Sequence, residues 1–174
     1  MKTLIDKNRH FAEFFDYGDL TIVPRKKILI LTCLDSRVDP AHTMELELGE
    51  AFVMRNIGGR VTDQIVEQIA ILRAMIKSVD GSSLDLAIIH HTDCGVFRFA
   101  DPKVRQRLGL LAGTGEVPMK KLAIKDPEAG IAEDLSRLRA ASILPDGLIV
   151  SGYLYDVKDG NLHETLAPVP LRGS

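Results

Sequence analysis

The chain holds two cysteines, Cys33 and Cys94, and both stand beside other residues that could do chemistry. Cys94 follows His91 by three positions in His91-Thr92-Asp93-Cys94-Gly95, a spacing that lets one tight turn aim both side chains at a common point. Cys33 opens the segment Cys33-Leu34-Asp35-Ser36-Arg37. Two thiolates and an imidazole suit zinc, a borderline-soft cation that prefers tetrahedral coordination. Three protein ligands leave one position open, the usual arrangement of a catalytic site, whereas a structural site normally adds a fourth Cys or His.

Plainer readings stand next to this one. Both cysteines could serve as small buried hydrophobes, and a single His-x-x-Cys spacing also arises by chance. A disulfide between them is formally open, but a reducing compartment disfavours it. Asp35 has two roles open to it beside a metal: closing the fourth position, or accepting a hydrogen bond from a metal-bound water. Arg37 could clamp that carboxylate bidentately; without Cys33 alongside, the two would read as a loop salt bridge. His90 adjoins His91 in a strand, so its side chain points to the opposite face and reads as a core or interface histidine. His10, His42 and His163 read as surface or packing residues, with His42 near enough to the Cys33 loop to keep in view as a proton carrier.

The elements that must hold these residues are legible from apolar patterning. Four nearly continuous apolar runs, Ile28 to Thr32, Ala51 to Met54, Leu84 to His90 and Leu148 to Leu154, read as buried strands of a mainly parallel sheet with helices over both faces. Cys33 and His91 fall at the ends of the first and third, where open α/β sheets gather their ligands. Helical patterns follow Thr62 or Asp63 as cap and run from about Pro127 to Ala141; a shorter one is expected over Ala41 to Leu48 behind Pro40. Val104 to Leu111 suggests another. Asp159-Gly160 turns into a short antiparallel edge strand near Leu162 to Leu166. Leu4, Ile5, Phe11, Phe14 and Phe15 mark an N-terminal arm, about residues 1–20, of one or two helices laid on a surface. The whole, 1–174, reads as one α/β domain. The last four residues, Leu171 to Ser174, are set aside, because Arg-Gly-Ser reads equally well as the remnant of an expression tag.

Composition narrows the class of partner. Of the 174 residues, 45% are hydrophobic and 26% charged, the balance of a globular domain with a proper core. A net charge of -2, no tryptophan and 5% aromatics argue against nucleic acid. No run of 18 apolar residues suggests a membrane span, and the charged first ten residues do not read as a signal peptide, so cytoplasm is the expected compartment. No Gly-x-Gly-x-x-Gly follows the first strand, which sets aside a dinucleotide site.

Taken in order, Cys33-Leu34-Asp35-Ser36-Arg37, Arg55-Asn56-Ile57-Gly58-Gly59 and His91-Thr92-Asp93-Cys94-Gly95 resemble the β-class carbonic anhydrases, and Ser151 to Asp156 looks like that family's last core strand. The resemblance spans nearly the whole chain. It implies zinc held by Cys33, His91 and Cys94, with Asp35 and Arg37 as the catalytic dyad; in some members the aspartate swings onto zinc in an inactive state. It further implies a tight homodimer with sites near the interface, many members pairing again into tetramers. The implied reaction is reversible hydration of carbon dioxide to bicarbonate by a zinc-bound hydroxide. Relatives with the same five residues hydrolyse carbonyl sulfide or carbon disulfide, and a noncatalytic zinc-stabilised domain is the reading from another class. Ile57 stands where the family often has alanine. Gly58 and Gly59 permit a close turn there, and Arg55 and Asn56 read as braces for that segment or for a subunit contact.

Overall fold

A computed structural model describes residues 2–173. Strands β1 (Ile28–Cys33), β2 (Phe52–Asn56), β3 (Asp85–His91), β4 (Ile149–Tyr155) and β5 (Leu162–Pro170) form one sheet in the order β2-β1-β3-β4-β5. The first four are parallel and β5 is antiparallel to β4. The helices are α1 (Lys2–Glu13), α2 (Pro40–Thr43), α3 (Asp63–Asp80), α4 (Pro102–Ala112), α5 (Val117–Leu122) and α6 (Pro127–Ala140).

The apolar runs are continuous because both faces of β1 and β3 are buried. Leu29, Leu31, Leu86 and Ile88 turn to one face, where Ile65 and Ile69 of α3 and Ile131, Leu135 and Leu138 of α6 complete the main core. Ile30, Ala87 and Ile89 turn to the other, under Met44, Leu46, Tyr153 and Tyr155. Caps fix the two long helices. Thr62 accepts a bond from the Ile65 N–H, and Asp126 accepts one from the Ala129 N–H at 2.9 Å. Register then sets the strand ends side by side: Cys33 lies opposite Asn56, and His91 opposite Tyr155.

Three expectations need correction. The helix expected over Ala41 to Leu48 stops at Thr43, because Glu45 takes a left-handed φ of 50° and Met44 and Leu46 turn in to cover the sheet. Burial there outweighs helical propensity. The second strand starts one residue later, at Phe52, and ends two later, at Asn56, and the edge strand runs to Pro170 instead of Leu166. The end of the chain is part of the fold: Leu171 is fully buried, and Arg172 donates to the carbonyls of Arg139, Leu144 and Ala141 and to Asp146. Ser174 lies outside the described residues. The arm is a single helix, α1, with Leu4, Ile5, Phe11, Phe14 and Phe15 all exposed. Among the described residues, no helix is long and apolar enough to cross a membrane.

Candidate metal centre

Strand ends and one turn bring the three donors together. Cys33 closes β1, His91 closes β3, and Asp93, at a φ of 53°, bends the chain so that Cys94 returns to the same point. That turn is braced by Thr92, whose hydroxyl donates to Asp156 at 3.0 Å and accepts from the Val157 N–H at 3.1 Å. The two sulfurs are 3.9 Å apart, and the donor atoms of all three residues lie within 4.8 Å of one another. All three are buried. Among the described residues this is the one group of three or more such donors so placed.

The histidine carries the clearest sign of a missing partner. Its Nδ1 lies 2.9 Å from the Thr92 carbonyl, to which it donates, so the lone pair is on Nε2. That Nε2 is buried and has no hydrogen-bond partner. Buried polar atoms left so are rare in folded proteins, and a lone pair facing two sulfurs fits a metal ion. The Cys33 thiol is already biased toward that use. Hydrogen bonding from Cys94 holds the Cys33 thiol well below its ordinary range against the effect of burial, and the N–H groups of Asp35 and Gly58 add to it. Cys94 is pushed up, first by the bond it shares with Cys33 and then by burial, as expected when two close sulfurs hold one proton.

A second layer holds Cys33 in place. Gly58 and Gly59 have φ of 84° and 64°, and a Cβ on Gly59 would lie 2.9 Å from the Cys33 nitrogen. Only glycine permits that approach of backbone to backbone. Arg55 donates to the Cys33 carbonyl at 3.0 Å and to the Asp35 carbonyl at 2.8 Å, so it braces the loop itself. Asn56 exchanges two bonds with the backbone of Arg60, at 2.7 and 2.8 Å, which closes the turn around the glycines.

Asp35 stands beside the donors but is not one of the converging group. Arg37 grips it from three sides: Nε to Oδ1 at 3.0 Å, Nη2 to Oδ2 at 2.7 Å, and the backbone N–H to Oδ1 at 2.9 Å. The same guanidinium reaches the Asp93 carboxylate at 2.9 Å, so the Asp35–Arg37 pair bridges the two loops that carry Cys33 and Cys94. These bonds hold the Asp35 carboxyl well below the usual carboxylate range, and it stays ionised.

Cys33 and Cys94 line a cleft of about 390 Å³. Leu34, Ile57, Val96, Phe99 and Leu108 give it apolar walls, with Asp35 and Arg98 as its charged members. His42 is exposed and does not line it.

One cluster escaped the sequence reading. Arg60 and Asp134 are fully buried, 3.3 Å apart; Arg60 also donates to Glu133 at 2.8 Å. His90 turns away from the donors and has both ring nitrogens on acceptors, the Pro127 carbonyl at 3.1 Å and Asp134 at 3.0 Å. The signal was present: Asp134 sits on the apolar stripe of α6 between Ile131, Leu135 and Leu138.

Residues 28–114 match the carbonic anhydrase family. The fold is similar to the crystal structure of carbonic anhydrase from Streptococcus mutans, with a TM-score of 0.79 and 30% identity over 94% of this chain and 96% of that one. Beta-carbonic anhydrase 1 of Mycobacterium tuberculosis is 28% identical over 148 residues, 84% of this chain and 86% of the relative. A carbon disulfide hydrolase of Acidianus sp. is 24% identical over 162 residues, 80% and 77% of the two chains. A parallel sheet that ends in a Cys-His-Cys donor set, and that aligns over nearly its full length with these proteins, places this chain in the β-carbonic anhydrase family.

Proposed function

We propose that the chain catalyses the reversible hydration of carbon dioxide to bicarbonate, with zinc held by Cys33, His91 and Cys94. The observation that carries this reading is the buried, unpartnered Nε2 of His91 in one donor group with two sulfurs whose residues line an apolar cleft. Zinc–sulfur bonds of about 2.3 Å at tetrahedral angles put two sulfurs about 3.8 Å apart, and the observed 3.9 Å fits that spacing. When bound, zinc supplies the acidity that makes hydroxide available near neutral pH.

The chain's own groups do the rest. Asp35 is ionised and can only accept a hydrogen bond. Its Oδ1 already takes two bonds from Arg37 and its Oδ2 takes one, which leaves Oδ2 the freer acceptor toward the cleft. A hydroxyl that donates its proton there has its lone pairs turned toward the substrate carbon. Arg37, anchored on Asp93, fixes the direction of that acceptor. Carbon dioxide is small and carries no charge, so the walls of Ile57, Val96 and Phe99 suffice to admit it. The reading extends to a homodimer, supported by the exposed apolar side chains of α1 and by the exposure of Val53 and Ile57 at the β2 edge. Free thiols suited to a reducing compartment support a cytoplasmic location.

The test is stopped-flow assay of metal-analysed protein on carbon dioxide, carbonyl sulfide and carbon disulfide in parallel. Turnover greatest on carbon dioxide, with zinc at one equivalent per chain, is expected. Hydrolysis of a sulfur gas with no hydration of carbon dioxide would move the substrate to the alternative, and zinc without turnover on any gas would refute catalysis.

A further inference from the structure

We propose that Arg98 is the anion-binding residue of the cleft, receiving bicarbonate as it enters or leaves; this rests on the carbonic anhydrase reading. The short 3-10 turn Gly95–Ala100, directly after Cys94, carries Arg98 to the cleft wall. Arg98 is exposed whereas Cys33 and Cys94 are buried, so it stands at the outer end of the cavity they share.

Every other guanidinium near the cleft is engaged. Arg37 is bound to Asp35 and Asp93, and Arg55 to two loop carbonyls. Arg105 holds the Phe99 carbonyl and pairs with Glu116. Among the described residues Arg98 alone lines the cleft with no side-chain partner. Charge gives it a task. Beside the donors, Asp35 and Asp93 share the guanidinium of Arg37, and Arg55 is paired with Asp39, so both of those cations are already taken. Carbon dioxide carries no charge to be recognised, whereas bicarbonate is an anion. Arg98 is the cation of the cleft left free to receive it, and a guanidinium presents two parallel N–H groups that match two bicarbonate oxygens.

The test is bicarbonate dehydration by stopped flow for wild type, Arg98→Ala and Arg98→Lys, each at matched zinc content, with inhibition of hydration by added bicarbonate measured alongside. Arg98→Ala should raise KM for bicarbonate about fivefold, the effect of losing one partly screened charge contact, and weaken bicarbonate inhibition by a similar factor. The change should fall on KM more than on kcat, and should narrow as salt rises. Arg98→Lys should recover most of it. Values for Arg98→Ala within the error of wild type, a loss confined to kcat, or a lysine variant as impaired as the alanine one would each overturn the assignment. An inactive wild type would instead overturn the underlying function.

Discussion

Replacing Asp134 by alanine would strip the one carboxylate that two buried groups share. Arg60 has no solvent exposure, and its Nε and Nη1 already lack hydrogen-bond partners. Without Asp134 its charge would lean on Glu133 alone, whose side chain is 52% exposed and so screens and moves freely. The His90 Nε2, 3.0 Å from Asp134, would lose its acceptor as well. Breaking a buried ion pair from one side costs about 3–5 kcal/mol. For a domain of this size each kcal/mol shifts Tm by about 2–4 °C, so a fall of roughly 8–16 °C is expected for a loss of about 4 kcal/mol. Urea and thermal unfolding of the metal-loaded variant measure it. A double variant, Arg60→Met with Asp134→Leu, removes both charges and should recover at least half of the loss, since hydrophobic replacement of a buried pair is often near neutral. A loss under about 1 kcal/mol for Asp134→Ala, or a double variant less stable than the single one, would refute the view that this cluster is held by the shared carboxylate.

Other outcomes follow from the same geometry. Asp35→Asn should retain zinc yet lose about 10²- to 10⁴-fold in hydration rate, and near-wild-type turnover would deny Asp35 its orienting role. Because the Asp35 carboxyl is held below its unfolded value, its contribution to stability is present above about pH 4 and is lost as pH falls toward the folded value; the stability gap between wild type and Asp35→Asn should therefore shrink on acidification from about pH 5 downward, and a gap that widens would contradict the sign. Gly59→Ala must shift Cys33, so it should cost about 2–4 kcal/mol through left-handed strain and overlap and weaken metal retention on dialysis against a chelator. Removing the metal from wild type should lower Tm, by about 2.7 kcal/mol of stability relative to a hundredfold saturation, and unchanged melting would mean that the ion is not bound to the folded chain.

The sequence revealed most where one signal dominated. Cys33 and His91 could be placed at strand ends because continuous apolar runs stop at them, and the strands do end there. Thr62 marked a helix start by cap chemistry, which is local, and the apolar stripe behind Pro127 marked another. What stayed hidden depends on distant partners. Nothing local says that Met44 and Leu46 must cover the sheet, and that demand breaks the expected helix after Thr43. Nothing local to Arg172 says that it would meet carbonyls some thirty residues earlier in the chain. Arg60 and Asp134 are 74 positions apart, and only the fold shows that each is the reason the other can be buried.

X-ray absorption at the zinc edge of the protein as purified addresses the metal centre most directly. Two sulfur scatterers near about 2.3 Å, one imidazole nitrogen near about 2.0 Å and a single further light atom are expected. Loss of one sulfur shell in Cys94→Ser and of the imidazole pattern in His91→Ala would assign them. Absence of zinc, or a shell of oxygen and nitrogen without sulfur, would contradict the account.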